Sequence, residues 1–208
     1  ETVIENGEWC ITFDKVLEAD TSGNQMRIYT AEKETVFDDV LVGDVYMVIG
    51  QSNVEYMVQS HITNSDPETQ GGGLDAIDPE SIIRLNRTNN AAIKNVEYPT
   101  KGSAEVCKDV LIENQWTKTT QGQTIAFSAL GYYFARSIVE RTNYTIPVGV
   151  IEIGFSGQPL GSFLPNEIAD EFNTDTYNAE TGVYTTTGSG AAEGSGRYIY
   201  NRHLYPLE

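Results

Sequence analysis

Hydrophobic and polar positions divide the chain into a β-rich start and an α/β remainder. Glu8 to Phe13, EWCITF, alternates between outward and inward positions, and Gln25 to Thr30, QMRIYT, does so again after the turn-rich Asp20-Thr21-Ser22-Gly23-Asn24. Thr35 to Leu41 begins a third run. A period of two predicts strands, but three short strands do not close a sandwich. Val42 to Met57, VGDVYMVIGQSNVEYM, then carries a β-branched apolar run into Gly50 and the small polar triplet Gln51-Ser52-Asn53. That pattern predicts a buried strand delivering a serine to a turn. A hydroxyl at the carboxyl end of such a strand stands where open α/β sheets put their ligand crevices.

From Val58 to Gly122 turn residues dominate. Asn64-Ser65-Asp66-Pro67 and Gly71-Gly72-Gly73 mark a long loop, and Ser81 to Leu85, SIIRL, predicts a buried strand whose Arg84 reaches solvent or a carboxylate at the strand end. Trp116 reads as a core residue or as a stacking platform for a sugar. Phe127 to Arg141 is the clearest helix: Ser128 is the N-cap candidate, and Leu130, Tyr133, Phe134, Ile138 and Val139 fall near one face. Gly131 and Ala135 would let it pack close to its neighbour. Pro147 to Ile153, PVGVIEI, follows as a strand, and the helix-then-strand rhythm predicts a parallel sheet. Residues 173–196, ending GSGAAEGSG, read as a surface segment or linker.

Composition narrows the partners. The 208 residues suffice for one domain, or one plus a fragment, and 13 Lys+Arg against 30 Asp+Glu give a formal charge of −17. So acidic a chain has no long-range electrostatic grip on nucleic acid or anionic membrane, which favours a neutral partner such as a sugar. No apolar run reaches the ~18 residues a membrane span needs. Glu1 is not an initiator methionine and no basic-then-apolar leader precedes it, so a signal peptide is expected to have been removed or to lie outside the sequence. Cys10 and Cys107 lack metal-site spacing and read as two free thiols or one disulfide. Asn86-Arg87-Thr88 and Asn143-Tyr144-Thr145 are sequons that do not fix the compartment, although a secreted or periplasmic location is favoured. Asp38-Asp39, Glu32 with Glu34, and Asp170-Glu171 are expected to be solvated. No phosphate loop, dinucleotide fingerprint or HExxH motif occurs, and no cofactor or metal is expected.

Gly43-Asp44-Val45-Tyr46, then Gly50-Gln51-Ser52-Asn53-Val54-Glu55-Tyr56, resembles the nucleophile block of the sialate O-acetylesterase family, a branch of the SGNH hydrolases that usually reads GDVW and GQSNMEW. The helix FSALGYYFARSIVER, the strand PVGVIEI and residues 197–207 extend the resemblance. It implies an α/β fold: an SGNH-type, flavodoxin-like, three-layer parallel sheet, incomplete at the C-terminus, with a short N-terminal β segment. Residues 1–41 would be the end of a preceding β-sandwich-like domain, or alternatively a β-meander on the main domain, and residues 42–208 the N-terminal portion of the catalytic domain. Gly154-Phe155-Ser156-Gly157-Gln158-Pro159-Leu160 keeps the family's second glycine and its proline, but has Ser156, Gln158 and Gly161 where the family has glycine, threonine and an acid.

The chemistry implied is carbohydrate O-acetyl ester hydrolysis. Ser52 would be the nucleophile and an oxyanion amide, Gly157 the second oxyanion amide, and Gln51, Asn53, Glu55 and Gln158 substrate-binding residues. A serine hydroxyl needs a base, and the chain holds only His61 and His203. His61 lies close to Ser52 in sequence; His203 occupies a family apolar position and reads as a packed or surface residue. The family's Asp-x-x-His motif is not among the 208 residues, so the base is expected on a C-terminal fragment of the same protein and these residues alone are expected to hydrolyse esters negligibly. Two other readings stay open: a non-catalytic glycan-binding module, and one piece of a two-fragment enzyme. Arg84, Arg136, Arg197 and Arg202 are candidates for a sialate carboxylate, each read first as structural or solvated.

Overall fold

The computed structural model describes residues 9–64, 82–88, 106–107, 116–119, 121–165, 168, 175–180, 183–186 and 199–207. The Gly71-Gly72-Gly73 loop and the GSGAAEGSG segment lie outside them. The fold is α/β, built on an open four-stranded sheet of order β3-β6-β4-β5. Strand β3 (Asp44–Gly50) runs parallel to β6 (Val148–Gly154), in register from Asp44↔Val148 to Gly50↔Gly154. On the other side of β6, β4 (Ile83–Arg87) is also parallel, and the short β5 (Thr117–Lys118) adds antiparallel to β4. Being central, β6 presents apolar side chains to both faces, as its near-continuous hydrophobic run requires.

One face is covered by α3 (Ala129–Arg141), which starts where Ser128 Oγ accepts the Gly131 N–H at 3.2 Å. Val148, Val150, Leu85, Ala135 and Val139 form the core there, with α1 (Val58–Asn64) and α2 (Gln121–Ile125) alongside. The buried stripe of α3 is Ala129, Gly131, Tyr132, Ala135 and Val139; of the expected face Val139 is buried and Tyr133 and Ile138 pack against the core, but Leu130 is 56 % and Phe134 46 % exposed. Small residues decide this. A Cβ on Gly131 would stand 3.0 Å from Val48 and 3.3 Å from Val150, so the helix approaches on its small side and Phe134 rests edge-on against Tyr46 at the margin. The opposite face is covered by residues 199–207, turns Tyr200–Leu204 and Tyr205–Leu207, through Ile199 and Leu204 on Ile151, Ile153 and Phe155.

Other expectations need correction. β3 is not buried: it lies at the sheet edge, and Val45, Met47 and Ile49 are 61 %, 45 % and 42 % exposed. Trp9 to Phe13 forms no strand and is exposed, with no partner strand among the described residues. β1 (Asp20–Tyr29) instead begins inside the supposed turn, whose residues are absorbed by register shifts between Asp20, Asn24 and Met26 as β1 pairs with β2 (Glu34–Val42). Asp39 is not merely solvated: it accepts Arg84 Nη2 at 2.9 Å and Lys118 Nζ at 3.1 Å, linking this hairpin to the main sheet. Arg84 therefore reaches a carboxylate, although from mid-strand. Within the supposed linker, β7 (Asp175–Asn178) and β8 (Val183–Thr186) pair as a hairpin. Cys10 and Cys107 are free thiols, exposed and buried respectively. Among the described residues no helix is long and apolar enough to cross a membrane.

Candidate functional site

At the carboxyl end of the sheet β3 and β6 stop together, at Gly50 and Gly154. The Phe155 N–H donates to Gly50 O at 2.9 Å, carrying the pairing one residue further. The chain after β3 then closes a tight turn: Gln51 O accepts the N–H groups of Val54 (2.9 Å) and Glu55 (3.2 Å). Gln51, Ser52 and Asn53 are left exposed, while Val54 is 4 % exposed and acts as the anchor. Its side chain lies over two glycines, since a Cβ on Gly50 would stand 2.8 Å and one on Gly154 3.3 Å from its methyls.

The loop after β6 lies beside this turn. Gly157 has φ +72°, a left-handed conformation that glycine adopts without the penalty other residues carry. Among the described residues, its two chain neighbours aside, no atom lies within 4 Å of where its Cβ would be. Two side chains of the Ser52 turn hold the loop: the Gln51 amide donates to Gln158 O, and Glu55 Oε2 accepts the Ser156 N–H at 2.6 Å. Gln51 and Glu55 are thus tied to Gln158 and Ser156, and Ser52 and Gly157 lie in the two loops so joined. Gln51 and Glu55 both spend polar atoms on the neighbouring loop.

Below the turn sits a residue that no motif in the sequence marks. Glu152 is 3 % exposed; its Oε2 accepts Arg87 Nη2 at 2.9 Å and the Ser128 N–H at 3.0 Å, where α3 begins. Arg87 Nη2 also donates to Ala126 O at 2.7 Å. Burial pushes the Glu152 carboxyl above the usual range, Arg87 and the Ser128 N–H pull it back, and Glu55 pushes it further up. The available signal was one acid inside the apolar run Val148–Gly154.

Both histidines pack against aromatic rings. His61, on α1, meets Tyr133 edge-on at 5.3 Å. His203 is fully buried, 4.7 Å from the Phe155 ring centroid, with neither ring nitrogen partnered among the described residues. Burial pulls its pKa down to about 4, so the ring is neutral at pH 7. Of the cations considered for a sialate carboxylate, Arg84 is paired with Asp39 and Arg136 with Glu140, and Arg197 lies outside the described residues. Trp116 is 42 % exposed, its ring against the bare backbone of Gly149.

The fold is similar to that of a solved carbohydrate acetylesterase from Xanthomonas citri. Identity is 20 %, the TM-score is 0.56, and the match covers 87 % of this chain and 33 % of that one. The chain therefore spans about a third of the length of that structure's chain. No family model and no curated protein matches it.

Proposed function

We propose that the chain carries the nucleophile part of a carbohydrate O-acetylesterase site of the sialate O-acetylesterase type. The observation that supports this reading is the pair of adjoining loops beyond two parallel strands, one exposing Ser52 and the other turning through Gly157 at φ +72°. Ser52 Oγ attacks the acetyl carbonyl carbon and gives its proton to a base; the N–H groups of Ser52 and Gly157 hold the oxyanion. The bond from that carbon to the sugar oxygen breaks, the proton goes to the leaving sugar, and water releases acetate from the acetylated serine. His61 packs on Tyr133 and His203 on Phe155, so acid–base work is assigned to residues outside the 208. Asn53, exposed beside Ser52, is assigned to the sugar.

The same packing of both histidines favours a second reading, a glycan-binding module that retains the scaffold without turnover. Added imidazole separates the two by standing in for the base. Under the esterase reading, aryl acetate hydrolysis by the 208-residue chain rises with imidazole above the rate of its Ser52→Ala variant. Equal rates for the two proteins at every imidazole concentration would end the esterase reading and leave the binding module.

A further inference from the structure

Glu55 does something that its neighbours in the turn do not. Its side chain crosses the end of β6: a Cβ placed on Gly154 would stand 2.6 Å from Glu55 Cγ and 3.5 Å from Glu152 Oε1. Real Cβ contacts do not come so close, so the crossing exists only because residue 154 is glycine. Having crossed, Glu55 Oε2 accepts the Ser156 N–H at 2.6 Å, a charge-assisted hydrogen bond to the residue immediately before Gly157. The Phe155 N–H bond to Gly50 O fixes the start of the same loop, and the Gln51 amide bond to Gln158 O fixes its far side. Glu55 thus controls the middle, the part whose backbone direction sets where the Gly157 N–H points.

We propose that Glu55 is a positioning residue: lying in the gap over Gly154, it holds the Ser156 amide and thereby orients the Gly157 N–H relative to Ser52. The inference rests on the esterase reading for its purpose but not for its geometry. A carboxylate suits the task because it only accepts, so both its oxygens are available to a backbone N–H. Glu152, directly beneath, is held by Arg87 and the Ser128 N–H, so it stays on the α3 side and leaves Glu55 to serve the loop.

Two variants test this from opposite sides. Glu55→Gln keeps the shape and weakens the acceptor; Gly154→Ala leaves Glu55 intact but fills the gap it crosses. Amide resonances and hydrogen exchange of Ser156 and Gly157 are compared with wild type in the 208-residue chain, and imidazole-assisted ester hydrolysis is read in parallel. Both variants are expected to shift the Ser156 amide proton upfield, speed exchange at Ser156 and Gly157, and lower kcat by roughly 10²-fold with KM little changed, the loss expected for a misplacement of about 1 Å. Unchanged amides in folded Glu55→Gln protein would overturn the proposal, as would moved amides with unaltered kcat. If the amides move while wild type shows no rate above Ser52→Ala, the loop restraint stands and the esterase reading is what fails.

Discussion

β3 and β6 are adjacent, parallel and in register, and each is an apolar run that ends in glycine, yet their surroundings differ. On the face away from α3, Ile49 and Ile153 are register partners, but Ile153 is 0 % and Ile49 42 % exposed; Met47 and Ile151 differ likewise, at 45 % and 7 %. The difference lies in what covers them. Residues 199–207 lie on β6, while the same face of β3 is open among the described residues. On the α3 face the contrast is chemical: Val48 of β3 is opposite Glu152 of β6, so the central strand carries a buried carboxyl group where the edge strand carries a methyl-rich side chain. Position in the sheet, not composition of the strand, determines which residues hold the molecule together.

The sharpest test of that contrast is to shorten the two partners. Ile153→Ala is expected to cost roughly 3–4 kcal/mol in urea denaturation, and Ile49→Ala about 1 kcal/mol or less, because only the first leaves a cavity. Equal costs would mean that the two strands are equally covered.

Arg87→Ala comes next, at about 3 kcal/mol at pH 7, because it strands the buried Glu152 carboxylate. Since burial raises the Glu152 pKa in the fold, the protonated form is the one folding favours, and stability from this group is lost as pH rises through the folded value. The cost of Arg87→Ala should therefore shrink as pH falls through the raised Glu152 value; a pH-independent cost would show that Arg87 acts by packing alone.

The cover over β6 contributes an effect that appears only in acid. His203 is held neutral, its pKa lowered from 6.5 to about 4, so its contribution is intact above pH 6.5 and is lost as pH falls toward 4. That loss should be absent in His203→Leu. A variant retaining the full acid dependence would place the sensitivity elsewhere, in the carboxylates.

The period-two runs of β1 and β2, the helix from Ser128, and the strands around Val45 and Val150 were all legible, because backbone preference and local spacing decide them. What could not be read was coverage. An alternating or apolar run looks the same whether a neighbour lies over it, which is why β3 was expected to be buried and Trp9 to Phe13 to be a strand. The helix stripe was legible in Val139 and in the close approach at Gly131 and Ala135, but Leu130 and Phe134 were misplaced on it because their hydrophobicity outweighed that approach. At the candidate site, the Ser52 turn and the Gly157 loop were visible as motifs. The restraints between them were not, since a glutamate accepting a backbone N–H 101 residues away leaves no local signature.

The central claim is that Ser52 is a poised nucleophile, and peptide mapping after reaction with a serine-directed phosphonate in the presence of imidazole tests it most directly. The account predicts one modified serine, Ser52, with labelling lost in Ser52→Ala and slowed in Glu55→Gln. Labelling scattered over other exposed serines, with Ser52 no more reactive than they are, would contradict it.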